Sequence, residues 1–141
     1  MDWERIRKRR GDCTDANLSD YETAVRLFSW PQARAMLEGL PDGGLNIAHE
    51  AIDRHLRAGR GNRIAIRWIG RDDQIRDFTY ASLGAAVNRF ANVLTRHGVA
   101  KGDRIFSLLG RMPELYIAAL GTLKAGGVFS PLFSAFGPEP I

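Results

Sequence analysis

The chain has 141 residues, of which 45% are hydrophobic and 26% charged, with a formal net charge of +4. This is the size of one ordinary domain with apolar side chains for one core, a composition that excludes a disordered chain. Its single cysteine, Cys13, excludes an intrachain disulfide and a cysteine-based zinc cluster, as suits a reducing cytoplasm.

The excess charge is concentrated at the start. MDWERIRKRR carries Arg5, Arg7, Lys8, Arg9 and Arg10 against Asp2 and Glu4, which accounts for three of the four net charges. The rest of the chain is almost neutral, so the tail reads as a solvated end. Any nucleic-acid contact through it would be weak, blind to sequence and sensitive to salt. Arg9 and Arg10 form a pair, but no apolar run follows them, which argues against a targeting signal.

A helical arm comes next. In SDYETAVRLFSW, Ser19 and Glu22 have capping-box spacing ahead of Tyr21, Val25 and Phe28. Pro31 suits the first turn of a second helix carrying Ala33, Met36, Leu37 and Leu40, which PDGG at 41–44 would close. From Asn46 the pattern alternates between helix and strand. NIAHEAIDRHLRA sets Ala48, Ile52 and Leu56 on one helix face. RIAIRWIG alternates Ile64, Ile66 and Trp68 against Arg63, Ala65 and Arg67, and RDDQ at 71–74 turns it toward IRDFTY, which predicts a hairpin.

The spacing of Leu83, Val87, Phe90 and Leu94 predicts a helix that starts near Thr79 or Ser82 and stops at Gly98. The apolar run at 105–109 predicts a strand covered on both faces, and Pro113 suits the first turn of the helix that follows. A last strand lies in VFSPLF. Because Pro131 lacks a ladder donor, this strand should be short, interrupted or at an edge. The stretch 115–133 carries one charge, Lys124, but Gly126, Gly127 and Pro131 divide it into pieces too short to span a membrane. The expected class is α/β: a short N-terminal helical arm over 1–45, then the first β/α crossover units of a mostly parallel sheet over 46–141.

Catalytic machinery is not legible. Neither phosphate-binding glycine motif occurs, and GRGNR at 59–63 leads into a strand rather than a helix. His49 and Asp53, four residues apart with His55 nearby, make an incomplete metal site with no third ligand in view, so no metal ligand is assigned. Ser82, Ser107, Ser130 and Ser134 lack a nucleophile-elbow pattern. The aromatics Trp68, Phe78, Tyr80, Phe90, Phe106, Tyr116, Phe129, Phe133 and Phe136 are expected mostly in the core.

Three stretches nevertheless carry a family resemblance. DFTYASLG at 77–84 and LKAGGVFSPLF at 123–133 resemble, in order and separation, the first two core motifs of the adenylate-forming superfamily. LNIAHEAIDRH at 45–55 resembles the N-terminal region of AMP-forming acetyl-CoA synthetases and their short-chain relatives. The resemblance covers residues 17–141 and implies the N-terminal part of a large domain, incomplete relative to the family's own.

The activity that the resemblance implies is a two-step ligation. ATP and Mg²⁺ would convert acetate or another short carboxylic acid to an acyl-adenylate, and the acyl group would then pass to coenzyme A. The family's Ser/Thr/Gly-rich loop ending in Lys is not in this sequence, so no catalytic residue is assigned and the chain alone is expected to be inactive. By the same resemblance Phe133, Ser134 and Ala135 would lie near the coenzyme A nucleotide, although the family often has glycine where Ser134 and Ala135 stand. An unfinished sheet would need the remainder of the ligase or a complementary chain as its partner. The alternative reading is a stand-alone interaction module derived from the fold; neither reading requires a membrane.

Overall fold

The computed structural model describes residue 18 and residues 20–133. They belong to two compact units that divide between Leu37 and Glu38.

The first unit contains α1 (Tyr21–Leu27) and α2 (Trp30–Ala35). The cap of α1 is Asp20, whose carboxylate accepts the Thr23 amide at 3.1 Å and the Thr23 hydroxyl at 2.6 Å. The cap thus stands one residue beyond the expected Ser19, which lies outside the described residues. These hydrogen bonds, the hydroxyl's foremost, hold the Asp20 carboxyl below its ordinary pKa. Ser29 caps α2, and Phe28 and Trp30 meet edge to face at 5.2 Å.

The helix expected to run on through Leu40 stops at Ala35. Met36 is its C-cap; further on, Gly39 has φ +76°, a left-handed conformation that favours glycine, and its amide donates to Glu50 Oε1 at 2.7 Å. The Glu38 amide donates to the other oxygen of the same carboxylate, which also pairs with Arg54 at 2.8 Å. A carboxylate fed by two amides and a guanidinium resists protonation, the Gly39 amide contributing most, and its pKa is lowered to about 2.

Asn46 opens the next helical segment, its Oδ1 accepting from the amides of Ala48 and His49. The segment is not uniform: a π-turn over His49–Asp53 runs into α3 (Arg54–Arg57). The wider turn buries His49 beside the expected Ala48 and Ile52. Asn46 Nδ2 donates to the Leu123 carbonyl at 2.7 Å, and Lys124 Nζ reaches Asp53 Oδ1 at 2.7 Å, which fastens the segment to a helix far along the chain.

The expected hairpin consists of β1 (Ile64–Ile69) paired antiparallel with β2 (Ile75–Thr79), and Asp73 takes positive φ in its turn. A bulge falls between Ile64 and Ile66. It breaks the simple alternation: Ala65 and Ile66 both pack on the core, while Ile64 is 49% exposed. Arg67 and Asp77 face each other across the ladder with two hydrogen bonds of 2.8 and 2.7 Å, which lower the Asp77 pKa.

α4 (Tyr80–Arg96) takes its cap from Thr79, whose hydroxyl accepts the Ser82 amide. Its buried stripe is Leu83, Gly84, Val87, Ala91 and Leu94. Ile52, Leu83 and Val87 form the core cluster, with Leu56, Phe78, Ile117 and Leu120 packed around it. Burying each such aliphatic side chain contributes about 1.5–3 kcal/mol. β3 (Arg104–Ser107), α5 (Pro113–Lys124) and β4 (Val128–Pro131) make the parallel crossover unit, in register from Arg104↔Val128 to Ser107↔Pro131.

The described strands therefore divide equally between an antiparallel hairpin and a parallel pair in separate sheets. β4 is short and ends at Pro131, where the ladder donor is missing. Coverage of β3 on both faces is not found: burial alternates along it, and Phe106 is 63% exposed. Helix α5 packs against both strands of the pair. The aromatics Phe106, Tyr116 and Phe133 are likewise exposed rather than in the core, and Phe136 lies outside the described residues. No helix among the described residues is long and apolar enough to cross a membrane.

Two outcomes test this packing. A Cβ on Gly121 would stand 2.7 Å from the Phe90 ring and 3.2 Å from the Val87 carbonyl, whereas one on Gly110 would meet nothing within 4 Å. Gly121→Ala should therefore cost about 1–3 kcal/mol in urea melts and Gly110→Ala much less. Glu50 has a folded pKa near 2 against an ordinary value of 4.5. Its stabilisation is complete above about pH 4.5 and is lost as pH falls toward 2, because the unfolded carboxyl takes up its proton first. Glu50→Gln should flatten this part of a stability profile measured from pH 6 to 2.

Candidate functional site

Parallel strands leave a crevice beyond their carboxyl ends, where side chains from successive loops converge. At the ends of β3 and β4, Leu109, Gly110, Arg111, Leu115, Pro131, Leu132 and Phe133 line a cleft of about 290 Å³. The two ladders place the walls together: the Leu132 amide donates to the Ser107 carbonyl at 2.7 Å, so the loops leaving both strands start side by side. The lining is apolar apart from Arg111. Phe133 stands two residues beyond β4 and is 60% exposed, so it is not the core strand residue that the sequence also allowed. Ser134 and Ala135 lie outside the described residues.

The loop carrying Arg111 is held by the hairpin. Trp68 Nε1 donates to the Arg111 carbonyl at 2.9 Å across 43 residues of sequence. Arg76 lies over the same indole at 5.7 Å and over the Phe78 ring at 5.3 Å, and it reaches Glu114 in the first turn of α5 at 3.5 Å. A second cleft of about 450 Å³, lined by β1 from Ala65 to Ile69 and by Tyr116, shares Arg111 with the first. Arg111 thus borders both openings. Arg111 has no place in any motif seen in the sequence. The available signal was Trp68, an amphipathic ring on a strand whose N–H requires an acceptor.

The histidines do not converge. His49 Nδ1 is 3.9 Å from Asp53 and its Nε2 is 3.7 Å from Glu38, but Lys124 holds Asp53. His55 instead packs on Tyr80, with ring centroids 4.7 Å apart. Among the described residues no three His, Cys, Asp or Glu side chains are grouped to hold a metal ion. The cleft has an apolar wall with the residues Phe133 and Arg111 on its lining. It offers no carboxylate or lysine, and so no described group that would hold Mg²⁺ or move a proton.

The chain is 42% identical over 125 residues to an acetyl-coenzyme A synthetase of Bacillus subtilis, covering 86% of this chain and 21% of that protein. It is 37% identical over 120 residues to an acetyl-coenzyme A synthetase of Xanthobacter autotrophicus, covering 84% and 18%. The chain spans about a fifth of the length of these curated relatives. Among solved structures, an acyl-CoA synthetase of Brucella canis superposes with a TM-score of 0.76 at 38% identity, over 85% of this chain and 22% of that one. Apo MatB of Rhodopseudomonas palustris gives 0.55 at 29% identity, over 65% and 17%. A family model described as AMP-binding enzyme matches residues 53–141, more than half of the sequence, and on that match the chain belongs to the AMP-binding enzyme family.

Proposed function

We propose that the chain is the N-terminal part of an ATP-dependent ligase joining acetate or another short carboxylic acid to coenzyme A. The observation that carries this reading is the similarity to acetyl-coenzyme A synthetases over 84–86% of the chain. Residues 1–45 then form an arm, and 46–141 open the AMP-binding domain.

A carboxylate is a poor electrophile because its charge repels nucleophiles. ATP with Mg²⁺ would supply an adenylate whose carbonyl a thiol can attack. The charge that develops at the phosphorus needs preorganised cations and amides. This sequence holds neither a glycine-rich phosphate loop nor that loop's lysine, and the described cleft has no group for the metal. The chain's own contribution is scaffold together with a wall of the cleft. Phe133, with Ser134 and Ala135 following it in the sequence, would border the coenzyme A nucleotide, and Arg111 lines the same cleft as Phe133. A reducing cytoplasm suits an enzyme of this kind with one cysteine.

The test is to join the chain genetically to the part of the Bacillus subtilis relative downstream of its matched segment. The expected result is acetate-dependent exchange of pyrophosphate into ATP by the fusion and none by the chain alone. Exchange by the chain alone, or a folded fusion inactive on every short acid from acetate to butyrate, would overturn the reading.

A further inference from the structure

The two walls of the cleft at the ends of β3 and β4 are held in different ways. Pro131, Leu132 and Phe133 follow β4 directly, and the Leu132 amide ties their start to the Ser107 carbonyl. The opposite wall, Leu109, Gly110 and Arg111, belongs to the loop between β3 and α5, beyond the reach of the ladder. Inside that loop the Met112 amide donates to the Gly110 carbonyl at 2.9 Å, a tight bend. Among the described residues a Cβ on Gly110 would meet nothing within 4 Å, so packing does not fix the bend in place. The hydrogen bond that reaches the loop from the hairpin does: Trp68 Nε1 donates to the Arg111 carbonyl at 2.9 Å.

One bond can set a wall only if its donor is itself fixed, and this indole is. Gly70 makes room for it, since a Cβ there would stand 2.7 Å from Trp68 Cη2 and 3.0 Å from Cζ3. Arg76, directly across the ladder from Trp68, lies over the ring at 5.7 Å and reaches Glu114, just past Arg111, at 3.5 Å. An indole nitrogen donates one hydrogen bond and accepts none, so the tie has a single sense and direction.

We infer, resting on the ligase reading above, that Trp68 is a positioning residue for the coenzyme A subsite. It acts through the Arg111 carbonyl and not on the ligand itself, holding the loop wall at a set distance from Phe133. A ligand lodged between two walls binds more tightly when neither has to be ordered first, so loss of the tie weakens the nucleotide's affinity. Adenylate formation makes a separate demand. It needs cationic groups at phosphorus, and among the described residues the cleft's lining holds no lysine. Trp68 therefore bears on the thioester step and not on the acyl-adenylate step.

The experiment uses the fusion described above in two variants. Trp68→Phe keeps an aromatic ring and removes the N–H; Gly70→Ala keeps the N–H and displaces the ring. Titration calorimetry with coenzyme A should show both binding about three- to tenfold more weakly than the parent fusion, the range that one hydrogen bond covers. The KM for coenzyme A should rise in step, while acetate-dependent pyrophosphate exchange, which needs no coenzyme A, stays within about twofold of the parent's. In the full chain by itself, amide exchange at residues 110–112 should quicken on Trp68→Phe. Arg67→Gln removes the exposed pair with Asp77 from the same hairpin and leaves Trp68 in place, so it should bind as the parent does. Far-UV circular dichroism establishes that each variant is folded. The inference is overturned if the folded variants bind coenzyme A as the parent does, if the parent fusion binds none, if Arg67→Gln loses as much affinity as Trp68→Phe, or if pyrophosphate exchange falls together with affinity. Calorimetry requires no turnover, which keeps the two proposals apart. A fusion that binds coenzyme A without exchange removes the ligase and still reports on the tie; an exchanging fusion whose variants bind as the parent does removes the tie and keeps the ligase.

Discussion

Val87 is fully buried on α4, and around it Ile52 from the π-turn segment and Leu83 close a cluster that Phe78 from the hairpin and Ile117 and Leu120 from α5 complete. Everything that positions the cleft depends on this meeting. Helix α4 cannot bury its stripe alone, and each partner that covers it is thereby set at a fixed distance from the others. At Gly121 the approach of α5 is so close that a side chain would strike Phe90. Because close-packed interiors deform little, that contact sets where the first turn of α5, and so the loop before it, can lie.

The hairpin works at the rim of the same arrangement. Its core side packs on the cluster through Ala65 and Ile66, while Trp68 reaches out to hold the Arg111 carbonyl. Arg76 continues the link from Trp68 and Phe78 to Glu114. Such exposed pairs contribute little to stability individually. Their importance is positional: they join a local hairpin to the mouth of a cleft built by the parallel unit. Membership of the AMP-binding family is consistent with a cleft at this place, since ligands of open α/β sheets gather beyond the strand ends.

The described residues supply walls and few reactive groups. Among the described residues the cleft's lining holds no lysine and no carboxylate. The described residues carry α5 against β3 and β4, and the chain spans about a fifth of the length of the relatives it matches.

Periodicity alone was enough for α4, because Leu83, Val87 and Leu94 recur at the helical repeat and Thr79 supplies a local cap. It was enough as well for the hairpin and for the shortness of β4, where turn residues and Pro131 act within a few positions. Three motif stretches carried the family, although no composition or spacing could name Arg111. Features that depend on distant neighbours were decided only by tertiary structure. The bulge at Ala65 answers to the core beneath it. The left-handed Gly39 donates to a carboxylate eleven residues further on, and the π-turn segment buries His49. The run at 105–109 reads the same whether one face is covered or two, because hydrophobicity records what a side chain requires and not what is present to cover it.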